Sequence, residues 1–98
     1  MDTQEIIFRV GYIRNRANLS ARALSLNIGK TDSYINRMEQ QGFIPSLPVL
    51  LEIIYACNST PEEFFYHDIQ RYKTDKESLV FIGSLSEKQL KAIRNLYN

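Results

Sequence analysis

Between Ser20 and Gly42 the chain sets out two short helices separated by a glycine turn, and this pair constrains the fold more than any other feature. Ser20 is a good N-cap, because its hydroxyl can accept from the free backbone amides of the turn that follows. The helix it opens runs from Ala21 to about Asn27, with Leu24 and Ile28 inward. Gly29 stands where a helix needs a positive φ angle in order to stop. Two residues on, Thr31 is placed to cap a second helix, with Asp32 in its first turn favourably set against the helix dipole. That helix carries Ile35 and Met38 on one side and Asp32, Ser33, Asn36, Arg37 and Gln40 on the other, and Gly42 ends it.

Helical patterning continues on both sides of the pair. Upstream, Ile6, Val10, Ile13 and Ala17 recur at spacings of four, three and four, which puts them on one helical face, and Ile7 and Tyr12 widen the stripe. Gly11 costs that helix about 0.5–1 kcal/mol relative to Ala. Asn18 suits its exit, since Asn tolerates the left-handed conformation. Downstream, Phe43-Ile44-Pro45 reads as a loop and Ser46 as the cap of a fourth helix, with Pro48 in its first turn. Leu47, Leu50, Leu51, Ile54 and Cys57 form its apolar stripe. Thr60-Pro61-Glu62-Glu63 is a capping box with proline at the first helical position, and Phe64 and Phe65 anchor the short fifth helix.

Beyond His67 the character changes. Residues 67–78 are polar and charged and read as a linker. A last apolar patch, Leu79-Val80-Phe81-Ile82, ends at Gly83. Ser86-Glu87-Lys88-Gln89 is a second capping box flanked by Leu85 and Leu90, and Leu90, Ile93, Leu96 and Tyr97 complete a final stripe. The expected organisation is therefore a helical domain over residues 1–68 and a helical extension over 69–98, whose apolar segment from Leu79 to Tyr97 either offers a dimer contact or folds back on its own domain.

Composition narrows the function classes. The chain has 98 residues, 44% of them hydrophobic and 23% charged, with three prolines and four glycines, so it is neither disordered nor a low-complexity linker. No run approaches the roughly 18 apolar residues of a membrane-spanning helix, and the acidic start, with Asp2 and Glu5, is the opposite of a signal peptide's basic opening. A single cysteine, Cys57, offers neither an internal disulfide nor a thiolate cage, and points to a reducing compartment. It falls on an apolar stripe and reads as a small core residue. His67 is alone and reads as a surface or helix-end residue. No cofactor motif, metal-ligand cluster or nucleophile–base pair is present in the sequence, which argues against an enzyme.

Net charge is only +1, but its distribution is uneven. From Arg9 to Arg37 there are six basic residues (Arg9, Arg14, Arg16, Arg22, Lys30 and Arg37) against one acid, Asp32. Such a concentration reads either as a basic face for phosphate or as a solvated helix surface.

Two short helices on a tight turn, the second polar on one face, are the sequence form of a helix-turn-helix. The run Ile13-Arg14, Leu19-Ser20, Leu24-Ser25, Ile28-Gly29 and Ser33-Tyr34-Ile35-Asn36-Arg37-Met38-Glu39 resembles the Cro/CI-type, xenobiotic-response-element-like family of bacterial and phage regulators. So do Ile44-Pro45-Ser46 and Ser59-Thr60-Pro61-Glu62-Glu63-Phe64-Phe65. The resemblance covers roughly residues 4–66. It implies an all-α, five-helix lambda-repressor-like DNA-binding domain, here with a short C-terminal helical extension. It further implies a cytoplasmic, sequence-specific transcriptional regulator that takes no cofactor, a repressor working as a homodimer on double-stranded DNA.

By the same resemblance Asp32, Ser33, Asn36 and Arg37 face the bases. Arg37 can fork onto guanine O6 and N7, Asn36 can pair with adenine, Ser33 can read either, and Asp32 can only accept, for example from cytosine N4. Arg16, Asn18, Ser20, Arg22, Lys30, Thr31 and Gln40 are the phosphate contacts, which set register without reading sequence. Arg14 and Glu39 fall where the family has an ion pair joining its first and third helices. Three positions depart from the pattern. Ala21 replaces a Gln that touches phosphate, Asp32 replaces a Gln or Arg, and Lys30 replaces an aliphatic. The first two motivate an alternative: a protein-interaction module or antitoxin-like protein that keeps the fold with weak or no DNA binding.

Overall fold

Asp2 opens the first helix. Its carboxylate accepts from the Glu5 amide at 2.8 Å, and α1 runs Thr3–Arg16 in the computed structural model, which describes residues 1–84 and 87–96. Asn18, at φ 58°, turns the chain, and Ser20 Oγ accepts from the Ala23 amide at 3.0 Å to start α2, Ala21–Asn27. Gly29, at φ 73°, makes the next turn, and the Lys30 amide closes it onto the Ser25 carbonyl at 2.9 Å. Then come α3, Tyr34–Gln41, ended by Gly42 at φ 76°, and α4, Leu47–Ala56. The fifth helix, α5, is Pro61–Phe64, with Thr60 Oγ1 accepting from the Glu63 amide at 3.2 Å. A 3-10 turn at Ile69–Arg71, α6 at Tyr72–Ser84 and α7 at Glu87–Leu96 follow. Among the described residues all regular structure is helical.

The chain divides into two compact units, Met1–Tyr66 and His67–Asn98. The core of the first is Val10, Ile13, Leu24, Ile35, Met38, Ile53, Ile54 and Phe64, all fully excluded from solvent. Each of α1 to α5 sends at least one side chain into it, so every helix is held by its apolar face rather than by intrinsic propensity. Leu24, Ile35 and Met38 fill the angle between α2 and α3 and fix how α3 is presented.

Four features differ from the sequence reading. First, α3 begins at Tyr34, and residues 31–33 form a preceding turn closed by the Tyr34 amide on the Thr31 carbonyl at 3.1 Å. Ser33 is therefore the N-cap, and Asp32 lies outside the helix. Second, the expected linker at 67–78 is a 3-10 turn running into α6, with Ile69 and Tyr72 buried. Its Lys, Asp and Glu residues are compatible with helix, and they hid it by supplying no apolar stripe. Third, the inward face of α4 centres on Leu50, Ile53, Ile54 and Cys57, while Leu47 is exposed, as is Phe65 of the expected aromatic pair. Fourth, Ser46 occupies the cap position of α4 without a side-chain capping bond. Leu85, Ser86 and Tyr97, and the side chains of Phe81, Ile82, Leu90, Ile93 and Leu96, lie outside the described residues.

Candidate nucleic-acid interface

One buried hydroxyl holds α3 onto α2. Ser25 Oγ donates to the Ala21 carbonyl at 2.8 Å and accepts from the Ile35 amide at 3.0 Å, and the residue is fully excluded from solvent. The first amides of a helix have no partner inside it. Ser33, at the cap position of α3, supplies no side-chain bond, so a residue of the preceding helix takes over that role. A serine is small enough for two helices to cross closely at this position. The sequence does not announce that the hydroxyl is an acceptor for α3.

The outward side of α3 is polar and open. Asn36, Arg37 and Gln40 are exposed, as are Thr31, Asp32 and Ser33 in the turn before it, and Asn18, Ser20, Arg22 and Lys30 upstream. The structure gathers Thr31, Asp32, Arg22 and Arg37 at the start of α3. Arg37 Nη2 donates to Thr31 Oγ1 at 3.4 Å, and Arg22 Nε stands 3.9 Å from Asp32 Oδ2. Lys30 Nζ lies 5.4 Å from the centre of the Tyr34 ring, whose edge-to-face partner at 5.7 Å is Phe43. Tyr34 thus braces the loop after α3 with one side and carries a cation on another. Ser20 Oγ already caps α2.

The six cations of the basic stretch separate into two sets. Arg9 is buried; its guanidinium donates to the Phe64 carbonyl at 2.7 Å and to the Tyr66 carbonyl, and pairs with Glu5 at 2.9 Å. Arg14 Nε meets Glu39 at 3.1 Å and its Nη1 donates to the Leu19 carbonyl at 3.0 Å, tying α1 to α3 and to the turn before α2. Arg16, expected at a phosphate, forks onto Glu63 at 2.6 and 2.8 Å and lies 5.5 Å from the centre of the Tyr12 ring. The hydrogen bonds to Glu63 raise the Arg16 pKa further, against a smaller lowering by burial, so the charge persists at any working pH. Glu63 also accepts from Ser59 Oγ at 2.5 Å. The three remaining cations, Arg22, Lys30 and Arg37, all belong to α2, α3 and the turn between them.

Glu63 shows what the sequence concealed. Its place at the third position of α5 is explained by capping, and nothing local betrays an arginine 47 residues away. Cys57, by contrast, is buried, and desolvation pushes its thiol up to about 11, which leaves it protonated and inert at neutral pH. Among the described residues no group of three His, Cys, Asp or Glu could hold a metal, and no helix is long and apolar enough to cross a membrane.

A helix-turn-helix family model matches residues 10–64, more than half of the chain. The chain belongs to the helix-turn-helix family of the Cro/CI, XRE-like type. Comparison with curated proteins and with solved structures gave no match. In this helix-turn-helix protein the matched span takes in the fully buried cores of α1 to α5, the Ser25 bond and the Arg14–Glu39 and Arg16–Glu63 ion pairs. The helix-turn-helix protein is thus a DNA-binding regulator in general character, built as a small all-helical lambda-repressor-like domain. The family is typically non-enzymatic.

Proposed function

We propose that this chain is a sequence-specific transcriptional repressor that occupies its operator by placing α3 in the major groove. The observation that carries the reading is the separation of the cations. Arg9, Arg14 and Arg16 are buried or half-buried in ion pairs that serve the domain, whereas Arg22, Lys30 and Arg37 stand exposed around the polar side of α3, in contacts that are themselves exposed or loose. In this reading Ser33, Asn36 and Arg37 meet base edges together with Asp32. Asn18, Ser20, Arg22, Lys30, Thr31 and Gln40 meet phosphates and fix register. Arg16, forked onto Glu63, serves the fold.

One recognition helix covers a few base pairs, so specificity calls for two copies on a pseudo-palindrome. The extension from Leu79 onward supplies the contact, and the exposed Leu79 and Val80 of α6 support that role. The protein acts in the cytoplasm of a bacterium, or is encoded by a phage. Selection from a random-duplex pool at low salt, with a light-scattering mass in parallel, tests all of this. The reading expects one two-fold symmetric motif and a dimer mass. A second reading, a protein-interaction or antitoxin-like module with weak DNA binding, draws on the exposed carboxylate of Asp32. A pool that enriches nothing supports it.

A further inference from the structure

The first turns of α6 carry a groove of about 250 Å³, lined by Tyr72, Lys73, Lys76, Glu77 and Val80. Their spacing explains its shape. Tyr72, Lys76 and Val80 stand four apart and form one ridge of the helix, and Lys73 and Glu77 form the next. The space between two such ridges is what the ridge of another helix packs into. Lys73, Lys76 and Glu77 are exposed and Val80 is 68% exposed, whereas Tyr72 is buried. Tyr72 also steadies one charge, since Lys76 Nζ donates to its hydroxyl at 3.1 Å and lies 5.5 Å from the ring centre. The charges select the occupant. An acidic partner gains the two lysines but meets Glu77, and a basic partner does the reverse. A second copy of the same helix, laid antiparallel, offers both signs in matching order.

We propose that two copies of this chain meet along this groove, as antiparallel α6 helices related by a two-fold axis between Lys76 and Glu77. In such a contact residue i meets j and j meets i. Each Lys76 then faces Glu77 of the other copy, twice over, and each Lys73 lays its stem on the other copy's Val80. A parallel pairing would set every lysine against itself. The inference rests on the homodimer reading, and it moves the centre of the contact upstream of Leu79, from an apolar seam to a charged one. Exposed ion pairs are individually weak and are screened by salt, so this dimer depends on concentration and on ionic strength.

Sedimentation equilibrium of the full chain, with circular dichroism to follow helix content, tests it on wild type, Lys76→Glu, Glu77→Lys and the double reversal. Wild type should dimerise as concentration rises and dissociate as salt is added. Each single reversal brings like charges together at two places and should raise the dimer Kd about tenfold or more. The double reversal restores opposite charges in the same register and should regain most of the wild-type affinity. A mere loss of helix gives no such recovery. A dimer indifferent to the single reversals overturns the groove as the contact and leaves a homodimer through the segment beyond Leu79 standing. Dissociation without recovery in the double variant overturns the antiparallel register in the same way. A monomer at every concentration removes both the groove contact and the homodimer reading.

Discussion

Ser25 Oγ sits 3.0 Å from the Ile35 amide, so α3 is capped by a side chain of the helix before it. One hydrogen bond thereby couples two things usually separate, the stability of α3 and its angle to α2. The same oxygen donates to the Ala21 carbonyl at 2.8 Å, which fixes the hydroxyl rotor and aims its lone pairs at Ile35.

Ser25→Ala should therefore cost more than a surface serine does. It leaves a buried amide without its acceptor, a loss of about 1–3 kcal/mol. Urea unfolding checks the magnitude. Hydrogen exchange checks the cause: the Ile35 amide should exchange faster relative to amides in the middle of α4.

Arg16 and Lys30 should behave as opposites. Arg16→Ala strips a buried Glu63 carboxylate of its forked partner and should destabilise the domain by about 3 kcal/mol, near the lower end for a buried pair because Arg16 is itself one-quarter exposed. It should leave the salt dependence of DNA binding as it was. Lys30→Ala should leave the melting temperature nearly unchanged and lower the slope of log K against log salt by about 1. Melting curves and salt titrations of the two variants separate the roles.

Arg37→Ala should relax sequence preference at one position. A bidentate contact to guanine discriminates by about 1–3 kcal/mol, and its loss should appear as a broadened base in the selected motif rather than as uniform weakening. In the free protein Arg37 Nη2 rests on Thr31 Oγ1 at 3.4 Å, an exposed contact that yields readily to a base.

Cys57 predicts a pH effect. Burial pushes the thiol from an ordinary value near 9 up to about 11, so between those values the native chain holds a proton the unfolded chain has released. Its contribution to stability is fully present below pH 9 and is lost as pH rises toward 11. Cys57→Ala should remove that component from the stability profile. In the native wild type, alkylation at pH 8 should be slow until denaturant is added.

Much of this is legible in the sequence. Asn18 and Gly29 carry the left-handed turns that residue chemistry demands there, and the periodic apolar positions Val10, Ile13, Leu24, Ile35 and Met38 form the core. What escaped was non-local. Arg16 looks like any surface arginine until Glu63 is brought to it, and Ser25 looks merely small until Ile35 arrives. The start of α3 escaped because Thr31 has the residue type of a cap but the backbone of a turn. The helix α6 escaped because Lys73, Lys76 and Glu77 supply no stripe to read.

The central claim is that the polar side of α3 meets the double helix. The most direct measurement is a chemical-shift titration of the labelled full chain with a short duplex at low salt. Shifts concentrated on Arg22, Lys30 and residues 31–40 are the predicted result. Shifts confined to α6 and α7, or none at all, would contradict it.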